Sequence, residues 1–148
     1  IKKPNLPLKA YMEMDAFKIY MLDIGLLIAM TDLDASVIID GNRIFTEFKG
    51  ALTEQYVLQQ LISQLGIEPY YYTSANSTGE IDFVLQASTS VIPLEVKAEE
   101  NLKAKSLKAF CEKYHPQYAV RTSMSDYREQ DWMTNIPLYN IDRIGEYL

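Results

Sequence analysis

Apolar and polar positions change period several times along this chain, and each change marks an element. "AFKIYMLDIGLLIAM" alternates at first, with Phe17, Ile19 and Met21 on one side, then becomes continuously apolar after Asp23. The pattern predicts a strand or extended lead into a helix, with Asp23 as N-cap. Residues 31–48 mix Asp, Gly and Asn with scattered apolar positions, which predicts a loop and part of a helix. From Gly50, "GALTEQYVLQQLISQLG" has helical period: Ala51, Leu58, Leu61, Ile62 and Leu65 form a stripe, and Gly66 is placed to end it. "PYYYTSAN" is strand-like with a turn at its end. "GEIDFVLQ" then alternates, with Ile81, Phe83 and Leu85 on one face and Glu80, Asp82, Val84 and Gln86 on the other. After the turn "ASTS", "VIPLEVKA" alternates again, with Ile92, Leu94 and Val96 opposite Pro93, Glu95 and Lys97. The two runs predict a hairpin with Asp82, Glu95 and Lys97 on a shared face, and Pro93, which has no N–H, asks for an edge or a strand start. "EENLKAKSLKAFCEKYH" reads as a helix with Leu102, Leu107, Phe110 and Cys111 inward, ended by Pro116. "QYAVRTS" predicts a further strand, and "IPLYNIDRIGEYL" a last strand or extended piece running into a helical turn. Helix, strands, helix, strand is the order of an α/β fold with a central mixed β-sheet flanked by helices.

The length of 148 residues suits one domain, spanning 1–148, that closes a core without staples. No linker or repeat divides it. No run reaches the roughly 18 to 20 apolar residues of a membrane helix, so no membrane partner is expected. Cys111 is the only cysteine, which excludes an internal disulfide and a cysteine-based zinc site and fits a reducing cytoplasmic setting. The chain opens on Ile1 rather than methionine, so it is expected to be a piece of something longer. A net charge of −6 weighs against constitutive, tight binding to nucleic acid. Lys97, Lys103, Lys105, Lys108, Lys113, Arg121 and Arg128 nevertheless cluster late in the chain and leave room for a local basic surface.

The hairpin carries the candidate chemistry. Residues i and i+2 of a strand share a face, so Glu95 and Lys97 project together, with Asp82 across from them. Two adjacent carboxylates repel unless a proton or a cation lies between them, and they can share one hard divalent ion through oxygen ligands. A lysine beside such a site can orient or deprotonate a water, or hold charge on a developing phosphorane. As a plain surface salt bridge the same trio is worth at most about 1 kcal/mol. Glu54 falls within the apolar stripe of its helix. It reads equally as a helix-start glutamate favoured by the macrodipole or as a carboxylate aimed inward at something that needs it.

Taken together, Glu54 from "GALTEQYV", Asp82 from "GEIDFVL" and Glu95 with Lys97 from "PLEVKA" resemble the PD-(D/E)XK, or restriction-endonuclease-like, superfamily. The proline that precedes the aspartate in the superfamily's name is replaced by Ile81. Over nearly the whole chain, "LKAYMEMDAFKIYMLDIGLL", "GALTEQYVLQQL", "YYYTSANSTGEIDFVLQ", "VIPLEVKAEENLKAKSLKAF" and "IPLYNID" resemble the C-terminal domain of unknown function carried by many bacterial and archaeal AAA-type ATPases. The resemblance implies a restriction-endonuclease-like fold and Mg²⁺ or Mn²⁺ held by Glu54, Asp82 and Glu95. It further implies a water positioned by Lys97, and an N-terminal ATPase domain in the same polypeptide as partner. No G-x-x-x-x-G-K-[ST] occurs here, so no ATP site of that kind is expected in this chain. Two functions follow: a metal-dependent nuclease domain acting on DNA or RNA, or an inactive nuclease-fold module that binds or regulates the ATPase and its partners. The retained site residues favour the first and the acidic balance the second.

The remaining candidates have plainer roles. His115, before Pro116, reads as a helix-end or surface residue, and Cys111 as a core thiol. Tyr70, Tyr71 and Tyr72 read as sheet packing rather than a base-stacking platform. Trp132 and Met133 suggest either an aromatic-anchored loop or an exposed patch. Alanine at Asp82 or Glu95 is expected to leave a solvated, metal-free site folded, or to stabilise it by relieving repulsion.

Overall fold

The computed structural model describes residues 1–32, 46–74, 79–99 and 103–148. Much of the expected loop at 31–48, the turn after Tyr72 and Leu102 lie outside these residues. The elements are a 3-10 turn Leu8–Tyr11, helix α1 (Ile24–Ala29), helix α2 (Thr46–Leu65), strands β1 (Tyr70–Thr73), β2 (Glu80–Gln86) and β3 (Val91–Val96), helix α3 (Lys105–Tyr114), strands β4 (Val120–Ser123), β5 (Arg128–Glu129) and β6 (Thr134–Pro137), and a C-terminal 3-10 segment Leu138–Tyr147, called the 3-10 segment below. The sheet runs β1-β2-β3-β4-β6-β5. β1, β2 and β3 pair antiparallel, β3, β4 and β6 parallel, and β5 returns antiparallel on β6. The fold is thus α/β, with a six-stranded mixed sheet and flanking helices.

Each face of the sheet has its own core. On one side Val57 and Leu61 of α2 pack with Phe83, Leu85, Ile92, Leu94, Val120, Ile136 and, from the 3-10 segment, Ile141 and Ile144. On the other, Leu107 and Phe110 of α3 pack with Leu8, Tyr72, Ile81, Val84, Ala119 and Met133. Burial of these aliphatic and aromatic side chains, at roughly 25 cal/mol per Å² of apolar surface, is the main term holding the layers together. Gly66 leaves α2 with φ +64, a conformation that favours glycine. Gly145 lets the 3-10 segment close on α2, since a Cβ there would stand 3.2 Å from Leu65 Cδ2.

The α2 stripe is rotated from the one its sequence predicts. Leu52, Val57 and Leu61 are buried, whereas Ala51 and Ile62 are exposed. The reason is polar: Gln55, only 2% exposed, turns toward the N-terminal segment. Its Oε1 accepts from Met21 N at 2.8 Å and its Nε2 donates to Met21 O at 2.9 Å. Gln59 Oε1 accepts from Ile24 N at 3.1 Å, and Asp23 caps α1 through Leu26 N at 2.8 Å, as its position predicts. Residues 17–24 therefore form a strap laid along α2.

Pro93 occupies an interior strand, not an edge. Lys97 N donates to Thr122 O on β4, so by the two-residue repeat the Pro93 nitrogen also faces β4. β3–β4 pairing begins only at Leu94–Val120, so the missing N–H falls just before the ladder. Trp132 and Met133 pack onto the α3-side core, the anchored-loop alternative. Tyr72 also packs there, edge-on to Phe110 at 5.0 Å. His115 caps α3 in a left-handed conformation with φ 49. Among the described residues, no helix is long and apolar enough to cross a membrane.

Candidate metal-binding site

Strict alternation in β2 fails near Asp82. Ile81 shares the α3-side core with Val84, while Phe83 and Leu85 face α2, so two residues separate Ile81 from the next side chain on its face. The β1–β2 register shifts at the same place, from Tyr70–Val84 to Tyr72–Ile81. This is a bulge, and it turns Asp82 toward the α2 side beside Phe83. The β2–β3 ladder stops at Phe83–Leu94. Beyond it, Val96 N donates to Asp82 Oδ2 at 2.7 Å, so a carboxylate occupies the place of a main-chain acceptor. The sheet opens here, and Asp82 stands in the opening.

Glu95 and Lys97 lie on the other face. Ile92 and Leu94 belong to the α2-side core and Val91 to the α3-side core, so alternation directs Glu95 to the α3 side. The trio therefore does not share one face: Glu95 and Lys97 do, and Asp82 stands at the opening, near enough for the Glu95 charge to act on it. Glu95 is 5% exposed. Its Oε1 lies 2.6 Å from Lys97 Nζ, while its buried Oε2 has no hydrogen-bond partner among the described residues.

The parallel register adds residues that the sequence pattern did not single out. Glu95 pairs with Arg121, Arg121 with Asn135, and Asn135 with Arg128, which makes a polar row across β3, β4, β6 and β5. Arg121 is fully buried, and its Nε donates to Asn135 Oδ1 at 2.9 Å. Ser123 Oγ donates to the same oxygen at 2.8 Å. Burial and neighbouring Arg128 pull the Arg121 guanidinium below its ordinary pKa, and Glu95 opposes them. The expected basic surface thus loses two members. Arg121 is interior and Lys97 is bound to Glu95, whereas Lys103, Lys105, Lys108, Lys113 and Arg128 are exposed. The signal for Arg121 was its place between apolar Val120 and Thr122 in a run that reads as a buried strand, where a charged side chain needs a partner.

Glu54 is directed at the strap. Its Oε1 accepts from Lys18 Nζ at 2.9 Å and from the Tyr20 hydroxyl. Lys18 Nζ also lies 2.5 Å from Glu80 Oε1 and sits over the Tyr71 ring at 5.3 Å. A cleft of about 470 Å³ opens beside these groups, with Phe17, Lys18, Tyr20, Leu58, Asp82 and Phe83 in its wall.

The charges act on one another across the opening. Burial lifts the Asp82 pKa to about 7; Glu95 and Glu54 push the same way, while the Val96 amide and Lys18 oppose. Burial works against the Lys18 charge, but its bonds to Glu80 and Glu54 outweigh that and raise its pKa. Tyr20 is held firmly protonated by burial and by Glu54. Among the described residues no three His, Cys, Asp or Glu side chains converge in metal-holding geometry. Each carboxylate has one oxygen engaged, Glu54 Oε1 by Lys18 and Tyr20, Glu95 Oε1 by Lys97 and Asp82 Oδ2 by Val96 N, and of the other oxygens Glu95 Oε2 is the one buried without a hydrogen-bond partner among the described residues. The orphaned Glu95 Oε2 beside a carboxylate lifted toward neutrality fits a hard divalent cation, which satisfies the one and ionises the other.

The family model described as Domain of unknown function (DUF4143) matches residues 49–141 of the chain. The match runs from α2 into the 3-10 segment and includes Glu54, Asp82, Glu95 and Lys97. No curated protein and no solved structure matches the chain. The chain belongs to the DUF4143 family.

Proposed function

From this geometry, we propose that this member of the DUF4143 family is a metal-dependent nuclease domain of the restriction-endonuclease-like kind. It would hydrolyse phosphodiesters of DNA or RNA in the cytoplasm as an appendage of an AAA-type ATPase. One observation carries the reading: a buried carboxylate oxygen without a partner, Glu95 Oε2, at the opening where Asp82 replaces a main-chain acceptor and Lys97 stands alongside. A buried, unpaired carboxylate oxygen is costly unless something fills its coordination.

In this reading Asp82 and Glu95 hold Mg²⁺ or Mn²⁺, with Glu54 as a third carboxylate. Such an ion, once bound, supplies Lewis acidity and makes its coordinated water a better nucleophile at neutral pH. Lys97, tied to Glu95 Oε1, keeps its remaining N–H groups for the attacking water and the phosphoryl oxygens. The water oxygen would bond to phosphorus and lose a proton to solvent as the bond to the leaving sugar oxygen breaks, and a solvent proton would neutralise the alkoxide. The exposed lysines of α3 can meet the phosphate backbone without reading sequence.

A second reading, an inactive module serving the ATPase, draws support from the strap, because Glu54 is already occupied by Lys18 and Tyr20. Calorimetric titration with Mn²⁺, paired with cleavage of single- and double-stranded DNA and RNA, separates the two. The nuclease reading expects saturable binding that weakens more than about tenfold, or about 1.4 kcal/mol, in Glu95→Gln, and metal-dependent cleavage lost with it. No binding at millimolar Mn²⁺ in a folded wild type favours the inactive module.

A further inference from the structure

Glu54, Glu80, Asp82 and Glu95 outnumber the ammonium groups that face them, Lys18 and Lys97. Lys18 bridges two of these acids, Glu54 and Glu80, directly. Neutralising neighbouring carboxylates is also the electrostatic work of a divalent ion. Lys18 comes from a strap fixed to α2 by Gln55 and Gln59, and Tyr20 on the same strap donates to Glu54. The ammonium is delivered by tertiary structure, not left to chance on a long side chain.

We propose that Lys18 is an internal stand-in for the metal. With the Tyr20 hydroxyl it holds Glu54 on the strap, and a divalent ion that recruits Glu54 must displace it. Lys18 is a positioning residue, acting through Glu54. The inference rests on the metal-dependent reading above. One feature points to a cation, the Glu95 Oε2 without a partner among the described residues, and Glu54, held through Oε1 by an ammonium about a quarter exposed, is the carboxylate for which such an ion would compete with Lys18.

The test titrates the whole chain with Mn²⁺ by calorimetry and follows its thermal melting with and without Mn²⁺. Wild type is compared with Lys18→Met, Lys18→Arg, Tyr20→Phe and Lys2→Met, the last removing an ammonium bound elsewhere, to Glu13. Lys18→Met is expected to bind Mn²⁺ about tenfold tighter than wild type, equivalent to about 1.4 kcal/mol. Without metal it should melt lower, and Mn²⁺ should raise its melting point more than it raises the wild type's. Lys18→Arg should restore wild-type affinity, Tyr20→Phe should tighten binding to a lesser degree, and Lys2→Met should change nothing. Wild type that binds Mn²⁺, with Lys18→Met binding equally or more weakly, overturns the inference and leaves the metal site standing. No binding by any of the chains, all folded, overturns both. Should Lys18→Met fail to fold, Tyr20→Phe carries the test, and unchanged affinity there overturns the inference.

Discussion

The two sides of the β2–β3 opening handle charge in opposite ways. On the α3 side, Glu95, Arg121 and Asn135 are almost completely removed from water and locked into a row by strand register. Asn135 accepts from Arg121 and Ser123, and its Nδ2 donates to Ser125 O at 3.2 Å and Asp126 O at 2.9 Å. On the α2 side, Glu54 and Lys18 are each about a quarter exposed, and Glu80 about half. Buried charges lose their hydration and need fixed partners, so each link of the row depends on the others. Solvated charges keep water as an alternative partner, so a link there can break at little cost. The arrangement teaches where movement is possible: the row fixes Glu95, and the strap side is freer to rearrange.

The strongest way to break the contrast is Arg121→Met. It takes the Arg121 donor from buried Asn135 Oδ1 and the neighbouring positive charge from buried Glu95, and the expected loss is about 3–5 kcal/mol of unfolding free energy, read by urea denaturation. A loss below about 1 kcal/mol means that the row does not hold this face together.

Asp82→Asn tests the opening itself. The folded-state pKa of about 7 lies above the ordinary 3.8, so the folded protein binds this proton more tightly than the unfolded chain does. Stability from this group is therefore complete below 3.8 and falls as pH rises from there to about 7. Asparagine cannot ionise and still offers Val96 N an oxygen. At about pH 8 the metal-free variant should be more stable than wild type by on the order of 2 kcal/mol, after discounting for partial solvation, with the gain gone by about pH 4. Thermal melts across that range measure it, and a pH-independent difference would sink the assignment. The expectation that Asp82 and Glu95 tolerate replacement alike is thereby divided. Glu95 balances Lys97 and lies beside Arg121, so its removal is expected to cost stability rather than relieve strain.

The smallest effect belongs to Glu80→Gln. It removes the outer arm of the Lys18 bridge while Glu54 remains, and should cost no more than about 0.5 kcal/mol, vanishing in high salt. A larger, salt-resistant loss would show that the strap side is as rigid as the row.

By itself the sequence determined most of the elements, because the period of apolar positions is a local property, though the two-residue β5 and the 3-10 turn Leu8–Tyr11 are too short to show one. The clean alternation of 91–96, the Asp23 cap and the glycine that ends α2 each read correctly from a few neighbouring residues. It also supplied the acids and the lysine of the candidate site, since residue type and spacing along one strand settle that Glu95 and Lys97 share a face. Tertiary structure alone decided the rest. The bulge that re-aims Asp82 arises from pairing with β1, and no pattern internal to β2 encodes it. Arg121 is interior because β4 lies between two parallel partners, where strand register, not composition, chooses what stands beside Glu95. Lys18 reaches Glu54 across 36 residues of chain because Gln55 and Gln59 fasten the strap to α2. Local periodicity says which way a side chain points; only packing between distant segments says what it meets there, and that meeting sets its charge.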